Sequence, residues 1–98
     1  MHMLLKVQIP VDAGNEAVKS GSIGKVMREF AEAAKPEAMY FSLADGWRTM
    51  YAVIDMTSSS DMPRLGEAFF MELEASIELT PCMNVEELMI GLKAAGHG

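Results

Sequence analysis

The stretch from Ala38 to Met56, AMYFSLADGWRTMYAVIDM, is where the fold is decided. Two strand-like runs, Ala38–Ala44 and Trp47–Met56, flank the pair Asp45-Gly46. Asp-Gly between such runs is the strongest short hairpin signal, because a type I′ turn requires positive φ at both central residues. A two-residue loop also sets the register, with Ala44 opposite Trp47, Ser42 opposite Thr49 and Tyr40 opposite Tyr51. Met39, Phe41, Leu43, Met50, Ala52, Ile54 and Met56 then share one face, apolar apart from Arg48 near the turn. That face is expected to lie under helices.

Working outward, Leu4–Val11 (LLKVQIPV) alternates as a half-buried strand, with Leu5, Val7, Ile9 and Val11 inward and Pro10 marking the exit. Asp12–Gly14 reads as a turn, and Asn15–Ser20 as a short helical turn broken by Gly21. Ser22 is placed to cap a helix whose stripe is Ile23, Val26, Met27, Phe30 and Ala34, ended by Pro36. After the hairpin, Thr57–Ser60 is a polar loop. Ser60 or Asp61 can cap a helix with Pro63 in its first turn and Met62, Leu65, Phe69 and Leu73 inward. Ala75–Pro81 alternates as a fourth strand. Asn84 and Glu87 form a capping box for a last helix with Val85, Leu88, Met89 and Leu92 inward, and Gly96–Gly98 reads as a frayed tail.

Strand–helix–strand–strand–helix–strand is the split βαβ, or ferredoxin-like, order: an α+β fold with one antiparallel sheet, helices on one face and an added C-terminal helix. Right-handed crossovers place the strands as fourth, first, third, second. Residues 1–98 fit one domain with no room for a second core. Domains this small often gain stability by oligomerising.

Composition removes several functions. The net charge of −6 disfavours phosphate backbones and anionic lipid, and the eight Lys and Arg form no run. No apolar stretch reaches bilayer length, and the first residues carry too short an apolar run for a secretory signal. One cysteine, Cys82, forms no internal bridge, so a reducing, cytoplasmic setting is expected, with Cys82 as a small buried hydrophobe. His2 and His97 sit at opposite ends, where disorder is usual, so no histidine triad, metal site or cofactor is expected. Ten methionines, spread from Met1 to Met89, read as flexible core filler. Gly21-Ser22-Ile23-Gly24-Lys25 lacks the residues of a phosphate loop. It matches the Gly-x-x-Gly of a KH-like RNA binder only in an acidic chain, and a helix break explains the same residues.

The opposite sheet face collects Lys6, Gln8, Tyr40, Ser42, Trp47, Thr49, Tyr51, Val53, Asp55, Ser76, Glu78 and Thr80. A sheet backed on one side can leave its other side to water. Trp47, Tyr40 and Tyr51, however, have the apolar bodies and hydrogen-bonding tips that interfaces and ligand pockets favour. Two copies stacking these faces would bury the aromatics around a central cleft. Lys6, Gln8, Tyr40, Trp47, Thr49 and Tyr51 are the ligand-binding candidates, and Asp55, Glu78 and Tyr51 the catalytic ones. Lys6 and Glu78, on neighbouring strands, can equally form a cross-strand ion pair. A general base here requires a desolvated carboxylate. The alternative is a non-catalytic interaction module using the same face.

Ile9-Pro10-Val11 with Gly14-Asn15, Lys35-Pro36-Glu37-Ala38 with Tyr40-Phe41, Gly46 with Arg48-Thr49, Asp55-Met56, and Pro81 through Asn84 run over nearly the whole chain. Together they resemble a group of short stand-alone bacterial proteins of unassigned function. More distantly, the strand order resembles the dimeric α+β barrel superfamily. That superfamily includes cofactor-independent monooxygenases, muconolactone isomerase-like enzymes, stress-responsive proteins and haem-handling members. The resemblance implies a homodimer built by sheet-to-sheet packing, while the small-molecule site is expected from the aromatic-polar composition of the face. It implies no particular reaction, since the fold hosts many. The histidine that haem-binding members require within the domain is absent.

Overall fold

The computed structural model describes all 98 residues. The element order is β1 (His2–Ile9), α1 (Val11–Ser20), α2 (Ser22–Ala34), β2 (Ala38–Ala44), β3 (Trp47–Asp55), α3 (Asp61–Leu73), β4 (Ser76–Pro81) and α4 (Val85–Ala94). The strands form one sheet in the order β2-β3-β1-β4, every neighbouring pair antiparallel. This is the ferredoxin-like arrangement. Asp45 and Gly46 both take positive φ, 57° and 77°, and the register runs Ala44 to Trp47, Ser42 to Thr49 and Tyr40 to Tyr51 as the turn requires.

Helices α1, α2 and α3 cover one side of the sheet. Leu5, Val7, Ile9, Met50, Ala52 and Ile54 are buried there against Val26 and Phe30 of α2 and Leu65, Phe69 and Leu73 of α3. The Phe30 and Phe69 rings, 5.2 Å apart and tilted by 57°, sit in the favourable range for aromatic pairs.

Several local expectations are corrected. β1 begins at His2 and stops at Ile9, and Val11 opens a full helix instead of closing the strand. Pro10 has the extended backbone of an N-cap residue, and its carbonyl accepts the Gly14 N–H at 2.8 Å, so a helix starts where a turn was expected. Gly14 is a site of close approach: an added Cβ would stand 2.5 Å from Arg48 Nη1. Gly21, not Ser22, is the N-cap of α2, in the left-handed conformation, while Ser20 Oγ accepts the Ser22 N–H at 3.3 Å. Ser60 occupies the N-cap of α3 without bonding a helix N–H through its side chain, and Met62 on that helix is half exposed.

Two larger departures bear on function. Phe41 and Leu43 point to the helix side as alternation requires, yet are 60% and 76% exposed. β2 is an edge strand beyond the reach of the helix layer, which leaves an open hollow of about 380 Å³ between these side chains and Ile23 and Met27 of α2. The second departure is α4. Its capping box forms as expected, Asn84 Oδ1 accepting the Glu87 N–H at 2.8 Å and Glu87 Oε1 the Asn84 N–H at 3.1 Å. Val85, Leu88, Met89 and Leu92, expected to face inward, are all exposed, because no part of the chain packs over them. The end of α4 is not frayed: Gly96 takes φ 86° and the His97 N–H bonds the Leu92 carbonyl at 2.8 Å, a Schellman-type closure. The molecule is elongated, 53 × 27 × 17 Å, with a radius of gyration of 15.5 Å. A compact chain of this length would have about 13 Å.

Candidate functional site

The uncovered sheet face is organised in rows running across the strands. Register places Tyr40 beside Tyr51, Tyr51 beside Lys6, and Lys6 beside Glu78, so two phenols, an ammonium and a carboxylate cross the middle of the sheet in one line. The row toward the hairpin turn is Ser42, Thr49, Gln8 and Ser76, and the row on the other side is Ala38, Val53, Leu4 and Thr80. The period-2 alternation of each strand brings these residues together from four separate segments.

The middle row is chemically unspent. The two tyrosine hydroxyls, the Lys6 ammonium and the Glu78 carboxylate make no hydrogen bond or ion pair within the chain, nor does the Trp47 indole N–H. The cross-strand Lys6–Glu78 ion pair therefore does not form, although the two residues are register partners. Two long side chains at a wet surface gain too little from pairing to hold one geometry. Tyr40 is 72% exposed and Trp47 38%, while Tyr51 is half-buried. Phe30 and Phe69 are the only rings in contact, so the aromatic faces of Tyr40, Tyr51 and Trp47 stack on no other ring.

The neighbouring row is already committed. Thr49 is buried, and its hydroxyl donates to the Trp47 carbonyl at 3.0 Å. Gln8 reaches across β3 and donates through Nε2 to the Ala44 carbonyl and to Asp45 Oδ2, both at 3.1 Å. Gln8 thus braces the hairpin against β1, while the Thr49 bond stays within β3. Asp55, at the far end of β3, accepts from the Met1 amino group at 2.7 Å. That bond, together with the charge of the ammonium, lowers the pKa of Asp55 below its usual 3.8. A carboxylate held ionised in this way is a weak general base. Glu78 is exposed, so neither carboxylate candidate is desolvated in a single chain.

His2 is an ordered part of this face, contrary to its expected disorder. It lies in β1, with Nδ1 2.6 Å from Glu87 Oε1 in the first turn of α4 and Nε2 2.8 Å from Glu37 Oε1 just ahead of β2. The Glu87 hydrogen bond, then that of Glu37, raises its pKa above 6.5. Nothing local in the sequence signals this cluster, because its members lie 35 and 85 residues from His2.

The methionines also converge in a way their spacing hides: Met1, Met3, Met56 and Met62 line a hollow of about 570 Å³ beside Thr57, Ser58 and Ser59. Cys82 is half-buried, its N–H bonded to the His2 carbonyl at 3.0 Å. In the Gly21–Lys25 segment only Gly21 lies between helices, and Gly24 is inside α2. The nearby Lys19 and Lys25 are turned to Glu16 at 3.7 Å and Glu29 at 4.0 Å, an arrangement poorly suited to gripping phosphates. No helix is long and apolar enough to cross a membrane. No protein-family model matches this sequence, and no curated protein matches it.

Proposed function

We propose that the open sheet face is the working surface: two copies of the chain stack these faces and hold a small organic molecule along the Tyr40–Tyr51–Lys6–Glu78 row. The observation that carries this reading is the row itself, with four polar tips and two free aromatic faces meeting on a surface where none has a partner inside the chain. Aromatic bodies with hydrogen-bonding ends are what a mostly apolar ligand with one or two polar groups requires. Lys6 suits an acidic group on such a ligand, Gln8 serves by bracing the floor, and buried Thr49 fills it.

Binding is favoured over catalysis within this reading. Cofactor-independent monooxygenase or isomerase chemistry needs a carboxylate poised near neutrality, and Asp55 is held ionised while Glu78 stands in water. Stacking would have to desolvate Glu78 before it could act as a base.

A second reading, a protein-only interface, draws on the positions of the hollows of about 380 and 570 Å³, which lie on the helix side and at the Met1 end of the sheet. Thermal-shift screening against a library of aromatic and keto acids separates the two. A ligand site gives at least one compound whose stabilisation is lost in Tyr51→Phe and Lys6→Met. No stabilisation by any compound, from a protein that is nevertheless dimeric, would leave the protein-only interface.

A further inference from the structure

On the helix side, at the hairpin end of the sheet, one cation stands among apolar neighbours. Register places Arg48 between Leu43 and Ile9, with Phe41 in the next row. Ile23 and Met27, one turn apart and so on one face of α2, form the opposite wall. These side chains line the open hollow of about 380 Å³ beneath β2, and Arg48 is its only charged residue.

Arg48 is half-buried and belongs to none of the chain's ion pairs. With 14 acidic residues against eight basic ones, a shortage of carboxylates does not explain this. Its sole hydrogen-bond partner is Asn15 Oδ1 on α1, 3.1 Å from Nη2, and the rest of the guanidinium's N–H fork is unused. The backbone makes room for it. Gly14 is buried against the guanidinium, where a Cβ would stand 2.5 Å from Nη1. Packed on Gly14 and bonded to Asn15, the side chain has already given up rotamer freedom, so a partner that uses the fork does not have to order it. A strut between β3 and α1 needs a donor, but neither a cation nor an apolar hollow beside it.

We infer that this hollow is a second binding site, separate from the tyrosine row, for a small aromatic monocarboxylate. A planar guanidinium pairs with a carboxylate through two parallel hydrogen bonds, and more strongly where apolar walls exclude water. One cation in the lining matches one negative charge, whereas a polyanion would leave charge against Phe41 and Met27. Phe41 stacks on no ring of its own chain, so its face is open to an aromatic ligand, and a thioether such as that of Met27 makes favourable contacts with ring edges. Size agrees. An apolar cavity of about 150 Å³ holds a benzene, so this hollow accommodates one ring or two fused rings. The guanidinium and the apolar walls belong to a single chain and to the side of the sheet away from the tyrosine row, so the site stands whether or not two open faces stack.

An NMR titration of the full chain with 2-naphthoate, reading backbone amides and the methyls of Ile, Leu and Met, tests this. The expected result is saturable shifts of the Ile23, Met27 and Leu43 methyls, with a Kd of about 1 mM or tighter for a ligand of this size. Arg48→Gln should raise that Kd about 10-fold or more, the worth of a charge-assisted hydrogen-bond pair. The uncharged 2-naphthylmethanol should bind the wild type more weakly by a similar factor. Leu43→Glu, on a wall 76% exposed and outside the core, should also weaken binding by setting a like charge beside the acid. An affinity that Arg48→Gln leaves unchanged, or an alcohol that binds as tightly as the acid, overturns the pairing. Shifts at the Tyr40 and Tyr51 amides with none in the hollow would put the acid on the tyrosine row and overturn this site alone. A dimeric wild type that Leu43→Glu renders monomeric would make the hollow a contact between copies, which also overturns it.

Discussion

Both ring nitrogens of His2 meet carboxylates, and both contacts favour the imidazolium. Its pKa is therefore raised above 6.5 in the folded protein. The stabilisation this gives is complete below the unfolded value near 6.5 and is lost as pH rises through the higher folded value. Glu87 behaves oppositely: the Asn84 N–H and then His2 lower its pKa below 4.5, and its contribution disappears as pH falls through that lowered value. The tether between β1 and α4 is thus firmest from about pH 4.5 to 6.5. An NMR titration of the His2 ring is expected to show a midpoint above 6.5 that falls toward it in Glu87→Gln. A wild-type midpoint at or below 6.5 would show that the two carboxylates do not hold the ring. Nothing along the sequence announces this cluster, since the chain brings its three members together only by closing the sheet.

At the level of elements, the hairpin and α4 respond to different changes. Gly46 sits at φ 77°, so Gly46→Ala is expected to cost about 1–2 kcal/mol in urea unfolding, with the fold retained. Asn84→Ala removes the N-cap of α4 and should cost that helix about 1 kcal/mol, read as faster amide exchange in α4 with little change in the sheet. The hairpin was legible in Ala38–Met56 because a two-residue turn and period-2 alternation together determine partners and faces. From it followed the pairing of Tyr40 with Tyr51, while the strand order came from right-handed crossovers and Lys6 and Glu78 from the alternation of β1 and β4. Alternation states which side a residue faces but not how far the opposite layer extends, and so Phe41 and Leu43 were expected under helices that stop short of β2. Gly14 reads as part of a turn because a glycine that admits Arg48 looks the same in sequence as one that admits positive φ. The stripe of α4 was visible, but its destination was not, since no apolar surface in its own chain receives it.

For the whole molecule, 18 of 98 residues are buried, a small core for a chain whose surface is already larger than a monomer of its mass should show. Phe69, 1% exposed and in contact with Phe30, is central to that core. Phe69→Ala is expected to cost about 3–5 kcal/mol, much of the stability of a domain this size, and to appear as a collapse of the thermal transition. Because association adds to folding, the wild-type melting temperature should rise with protein concentration. The most direct measurement is sedimentation equilibrium of the unmodified chain at micromolar concentration. A species of twice the 10.7 kDa chain mass is the expected result, and a single 10.7 kDa species would contradict the stacking of two open faces.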